Sequence, residues 1–162
     1  MAAVLVEIAE AVKSELATAF AASTFGAGYS AIVPKRSYAD WDDELKDMGT
    51  LHVDVVPVAY DDSSLNTHAS IGYVNSVDIG IRKRFGTANQ QSSGELIVAD
   101  VDALVLLVEQ VSEFFTPRRL TAYDSASWRE TKIRATYVRE HLRQCRQFTD
   151  VIRVSFDATK DL

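Results

Sequence analysis

A single cysteine, Cys145, among 162 residues excludes an internal disulfide. The fold must then stand on its apolar core, as suits a reducing cytoplasm. No apolar run reaches the roughly 20 residues of a membrane-spanning helix, because charged residues interrupt every long hydrophobic stretch. A glycine-rich phosphate loop is also missing. Gly26-Ala27-Gly28 has neither the spacing nor the following lysine, so it reads as a helix stop. The three histidines, His52, His68 and His141, stand far apart and show no paired-ligand spacing. No internal repeat or domain linker breaks the chain, and its length suits one domain over residues 1–162.

What is present is ordinary in bulk and uneven in distribution. Hydrophobic residues make up 47% and charged residues 25% of the chain, as in a typical globular protein. The net charge of −6 argues against non-specific DNA binding by the whole surface. Yet residues 1–62 hold eleven acidic and four basic side chains, while residues 118–146 hold eight basic and three acidic ones. One region of a copy can therefore attract another region of its neighbour, and folding can equally mix these charges on one surface. The first 20 residues lack a basic leading segment, and Glu7, Glu10, Lys13 and Glu15 interrupt any apolar stretch. They suit an amphipathic helix better than a signal peptide.

Periodicity supplies the elements. Val4, Leu5, Ile8, Val12, Leu16 and Phe20 recur at helical spacing with charges on the other side, which predicts a helix over 3–23 ended by Gly26 and Gly28. Residues 29–35 read as a first strand closed by Pro34, and Asp40 as a cap before a short acidic turn. Residues 51–60 alternate as a strand in which Pro57 marks an edge or bulge. A polar loop follows over 61–70, then a long strand over 70–85 with Ile71, Tyr73, Val77, Ile79 and Ile81 in register, then a polar loop over 86–94. A second helix runs from a capping Asp100 to a stop at Pro117. Its stripe is Val101, Leu104, Val108, Val111 and Phe115, widened by Leu107 and Phe114. Residues 128–135 read as a strand, 136–146 as a short basic helix and 148–157 as a closing strand. The layering is α+β: a mostly antiparallel sheet of four to five strands, flanked by two main helices and a short one.

Candidate chemistry is sparse. His52 and Asp54 share one strand face, which suits an acid–base pair or a metal, and equally an exposed strand face. Ser63-Ser64 and Ser92-Ser93 lie in polar loops without a nucleophile turn. Cys145 follows several arginines that could lower its pKa, but its place on an amphipathic segment favours packing. Asp40, Asp42, Asp43, Glu44 and Asp47 could hold a cation; their spacing is not that of a calcium loop. No catalytic residue, metal ligand or cofactor site emerges. Trp41 and Trp128, each beside charges at an element boundary, suit either interface anchors or core margins. Arg118, Arg119, Arg129, Arg134, Arg139, Arg143 and Arg146 lack the interleaved aromatics of a base-stacking surface. Protein carboxylates or plain solvation fit them better. The candidate protein-binding residues are therefore Asp40, Trp41, Asp42, Asp43, Glu44, Arg118, Arg119, Trp128, Arg139, Arg143 and Arg146.

Taken in order, the N-terminal amphipathic helix, LHVDVVPVAY, IGYVNSVDIGIRKRF, DVDALVLLVEQVSEFF and the closing WRETKIRATYVREHLRQCRQFTDVIRVSF resemble the tail terminator (tail completion) proteins of long-tailed bacteriophages. The resemblance spans nearly the whole chain and rests on the succession of elements, not on a motif. It implies a virion protein made in the host bacterial cytoplasm. Its copies would form a ring, commonly a hexamer, that caps the finished tail tube and docks the head-side connector. The implied partners are further copies of the chain, the tail tube protein and the connector or stopper, with genome DNA passing through the lumen unrecognised and no membrane involved. The loops 61–70 and 86–94 would order against the tube or connector. Another neck component, or a small enzyme or ligand-binding module built on His52 and Asp54, are the alternatives. DNA binding through the arginines comes third.

Overall fold

The computed structural model describes residues 3–62, 70–135 and 138–161. Among the described residues five strands form one sheet: β1 (Lys35–Arg36), β2 (Leu51–Asp62), β3 (Ser70–Arg84), β4 (Ala126–Ala135) and β5 (Gln147–Asp161), in the spatial order β1-β2-β3-β5-β4. Only the β1–β2 pair is parallel, so the α+β layering with a mostly antiparallel sheet is correct. Helices α1 (Val4–Ala21) and α2 (Val98–Phe114) cover one face, and the short α3 (Arg139–Cys145) leads into β5.

Strand alternation decides what each face meets. Val53 and Val55 of β2, Val77, Ile79 and Ile81 of β3, and Phe148, Ile152, Val154, Phe156 and Ala158 of β5 point at the helices. They meet Ile8, Val12, Leu16 and Phe20 of α1 and Leu104, Leu107, Val108 and Val111 of α2 in one continuous core. The two helices are joined at their ends by a chain of edge-to-face rings. Phe20–Phe25, Phe25–Phe114 and Phe114–Phe115 have centroids 4.9, 5.5 and 5.1 Å apart. Such a pair adds about 0.5–1.5 kcal/mol beyond the area it buries.

Several expected boundaries move, each for a local reason. Residues 29–35 do not form a strand. Ala27–Tyr29 is a 3₁₀ turn continued by Ile32 N–H to Tyr29 O, and only Lys35 and Arg36 pair, against Asp54 and Val55. Pro34 cannot donate to a ladder. The first helix is stopped before its glycines. Ser23 takes the left-handed conformation at φ 58°, and Thr24 N–H returns to Ala19 O, closing the last turn. Asp100 does not cap α2, which begins at Val98; its carboxylate instead accepts a bond from Asn89 Nδ2. Asp40 does accept Asp42 N–H, as a capping residue would, but only a turn follows. Pro57 lies beyond the reach of β1, where the β2–β3 register slips between Pro57 and Ala59, so both the edge and the bulge are real. Of the expected loop 61–70, Asp61 and Asp62 belong to β2 and Ser70 to β3; residues 63–69 lie outside the described residues.

The sheet's second face is polar, and two devices hold it. Asp78 is buried and receives a two-pronged bond from Arg153 (Nε 2.7 Å, Nη2 3.0 Å) with Arg134 at 3.4 Å, while Ser76 and Ser155 bond across the β3–β5 pair. The Asp78 carboxylate holds the Arg153 guanidinium above its ordinary pKa. Arg153→Met would strand that buried carboxylate with one long contact. The expected loss is about 3 kcal/mol, measured as a lowered midpoint in urea unfolding with an unchanged slope. The second device is the segment between β1 and β2.

Candidate functional site

The acidic segment 40–47 lies against the lower half of the second face. Trp41 lies against Gly80 so closely that a Cβ there would stand 2.1 Å from the indole. Its ring also carries the Arg82 guanidinium, 5.3 Å from the centroid. Arg82 bonds Asp54 at 2.9 Å, and Asp54 in turn accepts Ser37 Oγ. Leu45 is buried; its N–H donates to Gln147 Oε1 and its carbonyl accepts Arg84 Nη1. Gln147 Nε2 reaches Asp43 O, and Glu44 pairs with Arg84 at 2.8 Å. Trp41 and Glu44 are thus used within the protomer, while the side chains of Asp42 and Asp43 face outward and are exposed.

The basic candidates divide into three places. Arg118 stacks on Phe114 at 3.8 Å and donates to the buried Glu15 at 2.8 and 3.0 Å. Burial pushes the Glu15 carboxyl up, but the bonds from Thr121 and Arg118 outweigh it and leave it below its ordinary value. Arg118, the exposed Arg119 and Trp128 come together around a depression of about 240 Å³. Trp128 borders the core and donates Nε1–H to Thr131 Oγ1 at 2.9 Å. Arg139 and Arg143 lie on α3 beside Leu142 and Glu140, around a hollow of about 530 Å³. Arg146, left-handed at φ 52°, ends α3 and lines a separate cleft of about 300 Å³ with Met48, Arg84 and Cys145. Arg119, Arg139, Arg143 and Arg146 have no ion-pair partner among the described residues, whereas Arg129 and Arg134 pair with Asp157 and Asp78.

His52 and Asp54 share the second face as expected, but each is committed elsewhere. His52 Nε2 meets Asp47 at 2.8 Å, which holds the Asp47 carboxyl below its ordinary pKa, and Asp54 belongs to Arg82. Asp40, Asp42, Asp43, Glu44 and Asp47 gather into no metal-holding group among the described residues. No described helix is long and apolar enough to cross a membrane.

Asp150 was invisible from the sequence. It lies on the helix-facing side of β5 opposite Ile81, fully buried, with both carboxylate oxygens unpartnered. Burial raises its pKa to about 7. Gly80 did carry a signal, since a glycine within a β-branched strand marks a close approach. Asp78, Arg82 and Gln147 carried none, because their worth comes from neighbours distant in sequence. No protein-family model matches the chain, and no curated sequence is significantly similar to it.

Proposed function

We propose that this chain is a structural assembly protein of a long-tailed bacteriophage: a tail terminator whose copies close into a ring, six in number, at the head-proximal end of the tail tube. In that place it ends tube growth and presents a seat for the head-side connector, with genome DNA passing through the lumen unread. The observation that carries the reading is the pair of exposed arginines on α3, Arg139 and Arg143, without an ion-pair partner among the described residues, in a protein of net charge −6. Charges kept at one site without an internal partner suit carboxylates on an adjacent copy. The order of elements, an amphipathic helix, a long hairpin, a second helix and a basic segment before the closing strand, supports it. The reading assigns no catalytic role, and the separate commitments of His52 and Asp54 favour it over an acid–base site.

A ring requires a heterologous contact, in which two different patches of one protomer meet on neighbours. Multi-angle light scattering and negative-stain microscopy of the purified protein should find closed rings of one size. A monomer at every concentration, combined with failure to bind tail tubes, would overturn the assignment.

A further inference from the structure

The outward stripe of α2 is acidic and partly apolar. Asp102, Leu106, Glu109 and Glu113 are exposed along it, as is Val98 near its start, and the helix contains no basic residue at all. Leu106 is 54% exposed, an unusual place for a leucine on a helix that buries four other apolar side chains. Glu113 sits in the last turn, where the helix dipole disfavours a carboxylate by about 0.3–1 kcal/mol. Among the described residues no cation pairs with Asp102, Glu109 or Glu113. The α3 surface is the converse. Its hollow includes the partly buried Leu142 and the exposed Glu140 and is flanked by Arg139 and Arg143, both exposed and without an ion-pair partner among the described residues, with Arg146 one turn further on.

We propose that in the ring, whose existence rests on the reading above, the α2 stripe of one copy docks on the α3 surface of the next. Leu106 enters the hollow beside Leu142, and Glu109 and Glu113 meet Arg139 and Arg143. The spacings agree. Each pair is four residues apart on a helix, about 6 Å at 1.5 Å per residue, so the two rows can face each other in register. An apolar contact at the centre with charges around it is the usual anatomy of a specific interface. The charges steer encounter and fix the register more than they add affinity. The two patches lie on different elements and differ in chemistry, so the contact is heterologous and repeats around a ring instead of closing a dimer.

Two charge-reversed full-length proteins test this, Arg139→Glu/Arg143→Glu and Glu109→Lys/Glu113→Lys, followed by sedimentation velocity at low salt. All four positions are exposed, so circular dichroism spectra should match the wild type. Each variant alone should associate at least roughly tenfold more weakly. Mixed in equal amounts they should co-assemble, since the acidic α3 of one complements the basic α2 of the other, and the one remaining contact, acidic α2 on basic α3, is the wild-type one. Alternation of the two proteins then yields only even-numbered rings. Leu106→Asp should abolish association in every background. Folded variants that assemble like the wild type overturn this interface while leaving the ring intact, and so does a mixture that stays dissociated. A wild type that is monomeric at millimolar concentration and low salt overturns the interface, and it leaves the ring to be judged on tail tubes.

Discussion

Replacing Asp150 with asparagine is expected to raise stability by on the order of 3 kcal/mol at pH 8 and to change it little at pH 4. The wild-type carboxyl has a pKa of about 7 in the folded protein, raised by burial from an ordinary value of 3.8. Between those two values the folded state holds a proton that the unfolded chain has lost. Stability therefore falls as pH rises through this window and is flat above it. At pH 4 the carboxyl is neutral in the folded protein and still partly protonated in the unfolded chain, so asparagine gains little. At pH 8 the wild type must either bury an unpartnered charge or give up part of its packing between Phe148 and Ile152, and asparagine avoids both. Thermal melts of the two proteins at the two pH values decide it. Equal stabilisation at both would mean that the asparagine acts through packing; no stabilisation at pH 8 would mean that the carboxylate finds a partner.

The second large effect concerns Gly80. An alanine there collides with Trp41, whose nearest ring atom lies 2.1 Å from the new Cβ. Gly80 has no positive φ that would itself demand glycine. On the backbone alone, alanine in a strand should stabilise by about 0.5–1 kcal/mol. The clash outweighs this, because overpacking costs about 1–3 kcal/mol and the indole cannot retreat without leaving Arg82. Gly80→Ala should therefore destabilise by about 2 kcal/mol and shift Trp41 fluorescence to the red, recorded in a Trp128→Phe background. In a Trp41→Ala background the sign reverses and the same change stabilises slightly. A double-mutant cycle with no coupling between the two positions would show that the segment is not pinned there.

These two positions also mark what local pattern can and cannot reveal. Periodicity located α1, α2, β2, β3, β4 and β5 because each buries a face whose repeat is written in a few consecutive residues. It failed where a long-range contact decided the outcome. Glu15 looks like one more charge on the wet side of α1. It is buried instead, because Arg118 and the Thr121 N–H, more than a hundred residues away, satisfy its carboxylate. Residues 29–35 carry strand-forming side chains, but Val33 is 72% exposed and the chain is turned by Ala27–Tyr29 before it reaches the sheet. The acidic segment looked like a free patch for a partner, and its tryptophan proves to be an internal clamp. Its receptors, Gly80, Arg82, Arg84 and Gln147, all lie on strands that the pattern placed correctly but could not orient. The α3 arginines, with Arg119 and Arg146, belong to the part of the expected binding set that has no ion-pair partner among the described residues, and α2 supplies acids that composition alone did not single out.

The Asp78 and Asp150 carboxylates make the same contrast inside one sheet. Both are buried, one on each face. Asp78 holds two guanidinium groups, so its burial contributes to cohesion. Asp150 holds none, so its burial opposes folding at neutral pH. The two are chemically identical in sequence, and only the neighbouring strands distinguish them.

In the function proposed above, the protein stops a growing tail tube by closing a ring on its end. Purified tube protein polymerised with and without the chain, and imaged by electron microscopy, tests it most directly. The expected result is tubes shortened in proportion to added protein, each bearing ring density at one end, with Arg139→Glu/Arg143→Glu failing to cap. Tubes of unchanged length with bare ends, at protein concentrations well above that of tube ends, would contradict it.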